Sequence, residues 1–169
     1  IITPKNNAPV MGIVQDSLLG IYLFTLRDTF LTREQIMNLV IWIEASNTKE
    51  DLDSSLLPGQ LPMPAILKPV PLWTGKQVMS MVKDKTRDNI FRNPKDVNMI
   101  IRRGELITGA MQKEIVGSGA GGLIHIIWLE IGPDATNHFI TTTQRIVNNW
   151  LMQNSFSVGA ADIVPSQEC

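Results

Sequence analysis

Apolar residues fall along the chain in blocks whose spacing changes from helical to extended and back. Residues 10–24 (VMGIVQDSLLGIYLF) form an apolar run broken by Gln15-Asp16 and Gly20, and its length predicts a buried helix rather than a strand. Thr32-Arg33-Glu34-Gln35 reads as a capping box, in which the threonine hydroxyl accepts from an early backbone N–H and the glutamine reaches back to the cap. Behind it Ile36, Leu39, Val40 and Ile43 recur at i, i+3, i+4 and i+7, one face of an amphipathic helix. From 44 to 57 the period dissolves into polar and acidic residues, and five of the ten prolines then lie between Pro58 and Pro71. Helix is excluded there. An exposed loop leading into an extended segment, AILKPVPLW, is expected, its rigid turns holding Trp73. Thr74-Gly75-Lys76-Gln77 is a second capping box, opening a short helix with Val78, Met79, Met81 and Val82.

Residues 83–96 carry five basic and three acidic side chains without an apolar period, which predicts a solvated loop, locally positive. VNMII (97–101) and ELITGAM (105–111) are β-rich runs across Arg102-Arg103-Gly104, a hairpin with the glycine available for positive φ. The glycine-rich 117–122 segment leads into LIHIIWLEI, as strand-like as it is helical. Phe139, Thr143, Ile146, Val147, Trp150 and Leu151 keep helical spacing behind Pro133-Asp134, a start signal for a helix of about 20 residues. The tail from Ser155 shows no period. Helices, then strands, then a long helix predict an α+β fold built of short helices, a β-hairpin or small sheet and a long C-terminal helix.

Composition narrows the function classes. With 169 residues, a hydrophobic share of 44%, a charged share of 18% and a net charge of -1, the chain suits one globular domain with a sizeable core. Disorder and a supercharged nucleic-acid arm are excluded, although a local basic patch is allowed. The single cysteine, Cys169, cannot form an internal disulfide, and with only His125 and His138 no Cys/His zinc set can be assembled. No run approaches the length of a membrane span, and the N-terminus lacks the regions of a signal peptide. A reducing, intracellular setting is expected. The chain starts at Ile1 without a methionine, which suggests a piece of something longer.

Candidate chemistry is sparse. Gly117-x-Gly119-x-x-Gly122 matches the letters of a dinucleotide fingerprint, but that site needs a helix opening at the glycines inside a βαβ unit. The upstream segments do not alternate in that way, so a close-approach loop is the simpler reading. Gly75-Lys76 lacks the remainder of a phosphate-binding P-loop. His125, within an apolar run, reads as a buried histidine with a satisfied partner rather than a catalytic base. Lys113 and Glu114 read as a surface pair.

Five ordered strings, however, resemble one family: PVMGIVQDSLLG (9–20), LRDTF (26–30), PAILKPVPLWTGKQ (64–77), GGLIHIIWLEIGPDA (121–135) and VNNWLMQNSFSVG (147–159). They are similar to the pore domain of the largest subunit of eukaryotic RNA polymerase II, over residues 1–162, with 163–169 as the start of the following segment. The corresponding piece of polymerase III or I is the alternative, and VGSG would suit polymerase III, but MGIVQD, GGLIH and VNNWL favour polymerase II. The resemblance implies a nuclear, multi-subunit nucleotidyltransferase that makes RNA on a DNA template. Of the family's two Mg2+ ions one is held by an Asp-Phe-Asp-Gly-Asp loop that this chain lacks, so no catalytic or metal-binding residue is assigned and the segment alone is expected to be inactive. The segment would line the pore for nucleotide entry and backtracked RNA, meeting other subunits, the template and transcript, and a transcript-cleavage factor. Gln15, Asp16 and Lys113 match family positions near the pore. Glu114 and Ala8 stand where the family often has basic residues, so a strongly basic lining is not expected from them.

Overall fold

In a computed structural model, residues 1–44, 61–82, 88–92 and 97–164 are described. The elements are, in order, β1 (Ile2–Thr3), β2 (Ala8–Pro9), α1 (Gln15–Phe24), β3 (Phe30–Leu31), α2 (Arg33–Glu44), β4 (Trp73–Thr74), α3 (Gly75–Val82), β5 (Asn89–Phe91), β6 (Met99–Arg102), β7 (Glu105–Thr108), α4 (Lys113–Val116), α5 (Leu123–Glu130), α6 (Pro133–Asn154) and α7 (Ala160–Ile163). The α+β class and the long C-terminal helix are as expected. Among the described residues all sheets are antiparallel: β1 pairs with β2, β3 with β4, and β5-β6-β7 form a three-stranded sheet.

Helix α6 is the spine, 22 residues with proline in its first turn. It packs against α1, α2, α3 and α5, and Phe139, Thr143, Ile146, Val147 and Trp150 are buried along it. Trp150 meets Phe24 of α1 edge-on, with ring centroids 5.3 Å apart, the geometry aromatic quadrupoles favour. Gly20 lets these helices close up, since a Cβ there would lie 2.5 Å from a Val147 methyl. Ser17 adds a hydrogen bond across the same contact, Oγ to Asn148 Oδ1 at 3.1 Å.

Both capping boxes form. The Thr32 N–H donates to Gln35 Oε1 at 3.0 Å and the Gln35 N–H to Thr32 Oγ1 at 3.4 Å; Thr74 and Gln77 repeat the exchange at 3.1 and 3.4 Å. Ile36, Leu39, Val40 and Ile43 are buried, as their spacing requires. Trp73 is buried with its indole N–H donating to the Pro62 carbonyl at 2.7 Å, so the proline-rich segment does hold it. The β6–β7 hairpin turns on Arg103 (φ 49°) and Gly104 (φ 84°), the double positive φ of a tight two-residue loop. Ser80 ties α3 to that hairpin by accepting from the Leu106 N–H at 2.9 Å. Thr25, fully buried, donates to the Ile21 carbonyl at 2.7 Å and accepts from the Met111 N–H at 2.9 Å, which fastens α1 to the chain beyond β7.

Two expectations are corrected, and one open reading is resolved. The helix expected over residues 10–24 begins only at Gln15, because residues 10–14 are drawn out by the Ile13 N–H, which donates to the Val116 carbonyl at 2.9 Å. The stretch expected as a loop over 83–96 contains a strand, Asn89–Phe91, paired with Met99–Ile101; residues 83–87 and 93–96 lie outside the described part. LIHIIWLEI, left open between strand and helix, is helical at Leu123–Glu130. One helical turn also stands in the tail, Ala160–Ile163. The polar stretch 45–57 lies outside the described residues.

Candidate functional site

The site is built where the approach to α1 meets the glycine loop. Gly12 rests directly on that loop: a Cβ at Gly12 would lie 2.6 Å from Ser118 N and 2.7 Å from the Gly117 carbonyl carbon. With the Ile13–Val116 hydrogen bond beside it, this contact joins residues 12–13 to 116–118. The strand-free lead of α1 and the single turn α4 are thereby fixed to each other.

Gln15 opens α1 at φ 53°, in the left-handed region that non-glycine residues rarely occupy. Val14, ahead of it, is extended and gives the helix no side-chain cap. Gln15 and Asp16 are both exposed. On the other side of the joint, Ile115 and Val116 are buried and anchor α4, while Lys113 and Glu114 point to solvent. Among the described residues no hydrogen bond or ion pair links the side chains of Gln15, Asp16 and Lys113 to one another. The structure therefore brings the three predicted residues to neighbouring exposed segments and leaves them separate. A shallow groove beside the joint is lined by Gly12, Ile13, Val14, Ser17, Ile140 and Gln144.

The glycine loop lies between two helices, α4 and α5. A helix does open at its last glycine, since Gly122 caps α5. What precedes the glycines, though, is α4 rather than a strand, so the βαβ frame of a dinucleotide site is missing among the described residues. His125 is only half-buried. Its Nδ1 accepts from the Gly121 N–H at 3.0 Å, whereas Nε2 is buried without a partner among the described residues. The expected satisfied histidine is thus satisfied at one nitrogen only.

Sequence reasoning missed Gly12 and the role of His125. Gly12 sits in an apolar run that looks helical, and nothing local marks the backbone it will meet. The Gly121–His125 spacing of four residues was visible, but only once α5 is known to be a helix does the ring turn back over the loop.

A family model described as RNA polymerase Rpb1, domain 3, matches residues 1–163. The chain is 39% identical over 173 residues to DNA-directed RNA polymerase II subunit RPB1-B of Trypanosoma brucei brucei, and to the same extent to subunit RPB1-A of that organism. These alignments cover 99% of this chain and 9% of each relative.

Proposed function

This chain belongs to the family of domain 3 of Rpb1, the largest RNA polymerase subunit, and from that premise we propose that it forms a wall of the pore beneath the active centre of a nuclear RNA polymerase II. In that reading the whole enzyme performs DNA-templated RNA synthesis with other subunits, and this segment guides entering nucleotides, backtracked RNA and a transcript-cleavage factor. Catalytic Mg2+ would be held elsewhere in the assembly. Among the described residues no three His, Cys, Asp or Glu side chains stand close enough to hold a metal.

The observation that supports this reading is the joint of Gly12 and Ile13 with Val116–Ser118, which ties together the two segments that carry the exposed Gln15, Asp16 and Lys113. A wall past which a strand must slide needs polar and cationic groups that touch phosphates without reading bases. An exposed lysine followed by an exposed glutamate meets that demand with little net charge. The chain's resemblance to polymerase II over MGIVQD, GGLIH and VNNWL favours that enzyme over polymerase III or I.

Lys113→Ala tests the reading. In the assembled polymerase it should slow recovery from backtracked arrest and lower the salt slope of that recovery by about one, the signature of one lost phosphate contact. Unchanged recovery and slope would remove Lys113 from the RNA path.

A further inference from the structure

His125 presents an anomaly that the pore reading does not absorb. Its Nδ1 accepts a backbone hydrogen bond, so the proton of the neutral ring sits on Nε2, where no partner among the described residues meets it. A buried donor left unpaired destabilises a fold. An apolar side chain of similar shape on α5 would avoid that loss. What histidine supplies instead is its other nitrogen, which takes the Gly121 N–H at 3.0 Å. Local rules broken in this manner mark functional positions more often than packing positions.

The Gly121 amide also needs a holder. Gly121 lies at φ 76° with open space around it, and Gly119 is equally open. Residues 118–121 are exposed. At its entry the loop is fixed by the Gly117 N–H, which donates to the Lys113 carbonyl at 2.8 Å, and by the Ile13–Val116 bond. At its exit the Gly122 N–H reaches the Gly119 carbonyl at a long 3.4 Å. The His125 side chain reaches back to this loop and takes its hydrogen bond at Gly121. Glycines carry the largest conformational entropy to be lost on ordering, so one well-formed bond at Gly121 weighs heavily in the loop's equilibrium.

We propose that His125 is the positioning residue of the glycine loop: its Nδ1 latches Gly121 against the first turn of α5 and so sets the path of the exposed 118–121 backbone beside Lys113. The latch rests on the pore reading for its purpose, since the loop it sets would border the RNA path; the hydrogen bond itself does not depend on that reading.

Two near-isosteric substitutions separate the nitrogens. His125→Asn places an amide oxygen close to the Nδ1 position and keeps an acceptor for Gly121, while His125→Gln places its polar end toward the Nε2 position and loses it. Both remain polar, so a general loss of folding would affect them alike. Hydrogen exchange of the peptide spanning 117–122, measured in the assembled polymerase, should speed up about tenfold in His125→Gln, the equivalent of one lost hydrogen bond, and stay near the wild-type rate in His125→Asn. Recovery from backtracked arrest should follow the same order. Equal exchange in wild type and both variants would overturn the latch. Faster exchange in His125→Gln with unaltered recovery would overturn the positioning role. A slowed His125→Gln enzyme alongside an unaffected Lys113→Ala enzyme would support the latch while counting against Lys113 as a phosphate contact.

Discussion

At Gly12 a methyl group would lie 2.6 Å from the Ser118 nitrogen, closer than unbonded atoms tolerate, and both neighbours are backbone that cannot swing aside. At Gly119 the same methyl group would meet nothing within 4 Å. Gly12→Ala should therefore prise the α1 approach from the glycine loop and lengthen the Ile13–Val116 hydrogen bond, with a cost of about 1–3 kcal/mol, as for other overpacked sites. Gly119→Ala should be nearly silent. Hydrogen exchange at the Ile13 amide distinguishes them: faster in the first and unchanged in the second. In the sequence the string Gly117–Gly122 draws attention and Gly12 does not. Glycine letters report freedom of the local chain, whereas the constraint at Gly12 comes from residues about a hundred positions away, which no local pattern encodes. Gln15, Asp16 and Lys113 were likewise within reach only by resemblance, since each is an ordinary exposed side chain.

Elements whose signals are local were legible. The Thr32 and Thr74 capping boxes need only four consecutive residues to specify, and both close as the spacing implies. They are not equivalent, because Gln77 also donates from Nε2 to the Met63 carbonyl at 2.8 Å and so binds α3 to the proline-rich segment under Trp73. Removing Gln35 should cost about 1 kcal/mol, the usual scale of a helix cap. Gln77→Ala should cost more, because the Met63 carbonyl loses its donor as well. Chemical denaturation of the two variants, followed by tryptophan fluorescence, measures the difference; equal costs would mean that the Met63 bond contributes nothing. Strand β5 was illegible for the opposite reason. Ile90 is exposed, so Asn89–Phe91 shows no buried alternation, and only pairing with Met99–Ile101 makes it a strand. The start of α1 was misplaced because hydrophobicity alone cannot separate a helix from an extended apolar lead that finds its hydrogen bond elsewhere.

The molecule as a whole decides between the two readings of the glycine loop. Helix α5 does present its N-terminus at Gly122, which on its own would admit a pyrophosphate. Dinucleotide sites, however, form in the crevice at the carboxyl ends of parallel strands. Here the pairings among the described residues are antiparallel, and the loop is entered from α4 with its amide at Gly121 already spent on His125. A ligand phosphate would have to compete with the imidazole for that N–H and would find no parallel strand pair among the described residues to carry the ribose-binding acid. Trp128 lies in α5, within two turns of the loop, and serves as a built-in reporter. Titration of the chain with NAD should leave tryptophan emission without a saturable component, beyond the inner-filter attenuation that free tryptophan shows equally. A saturable change, abolished by a bulky residue at Gly119, where space is open, would return the loop to cofactor binding and separate it from the RNA path.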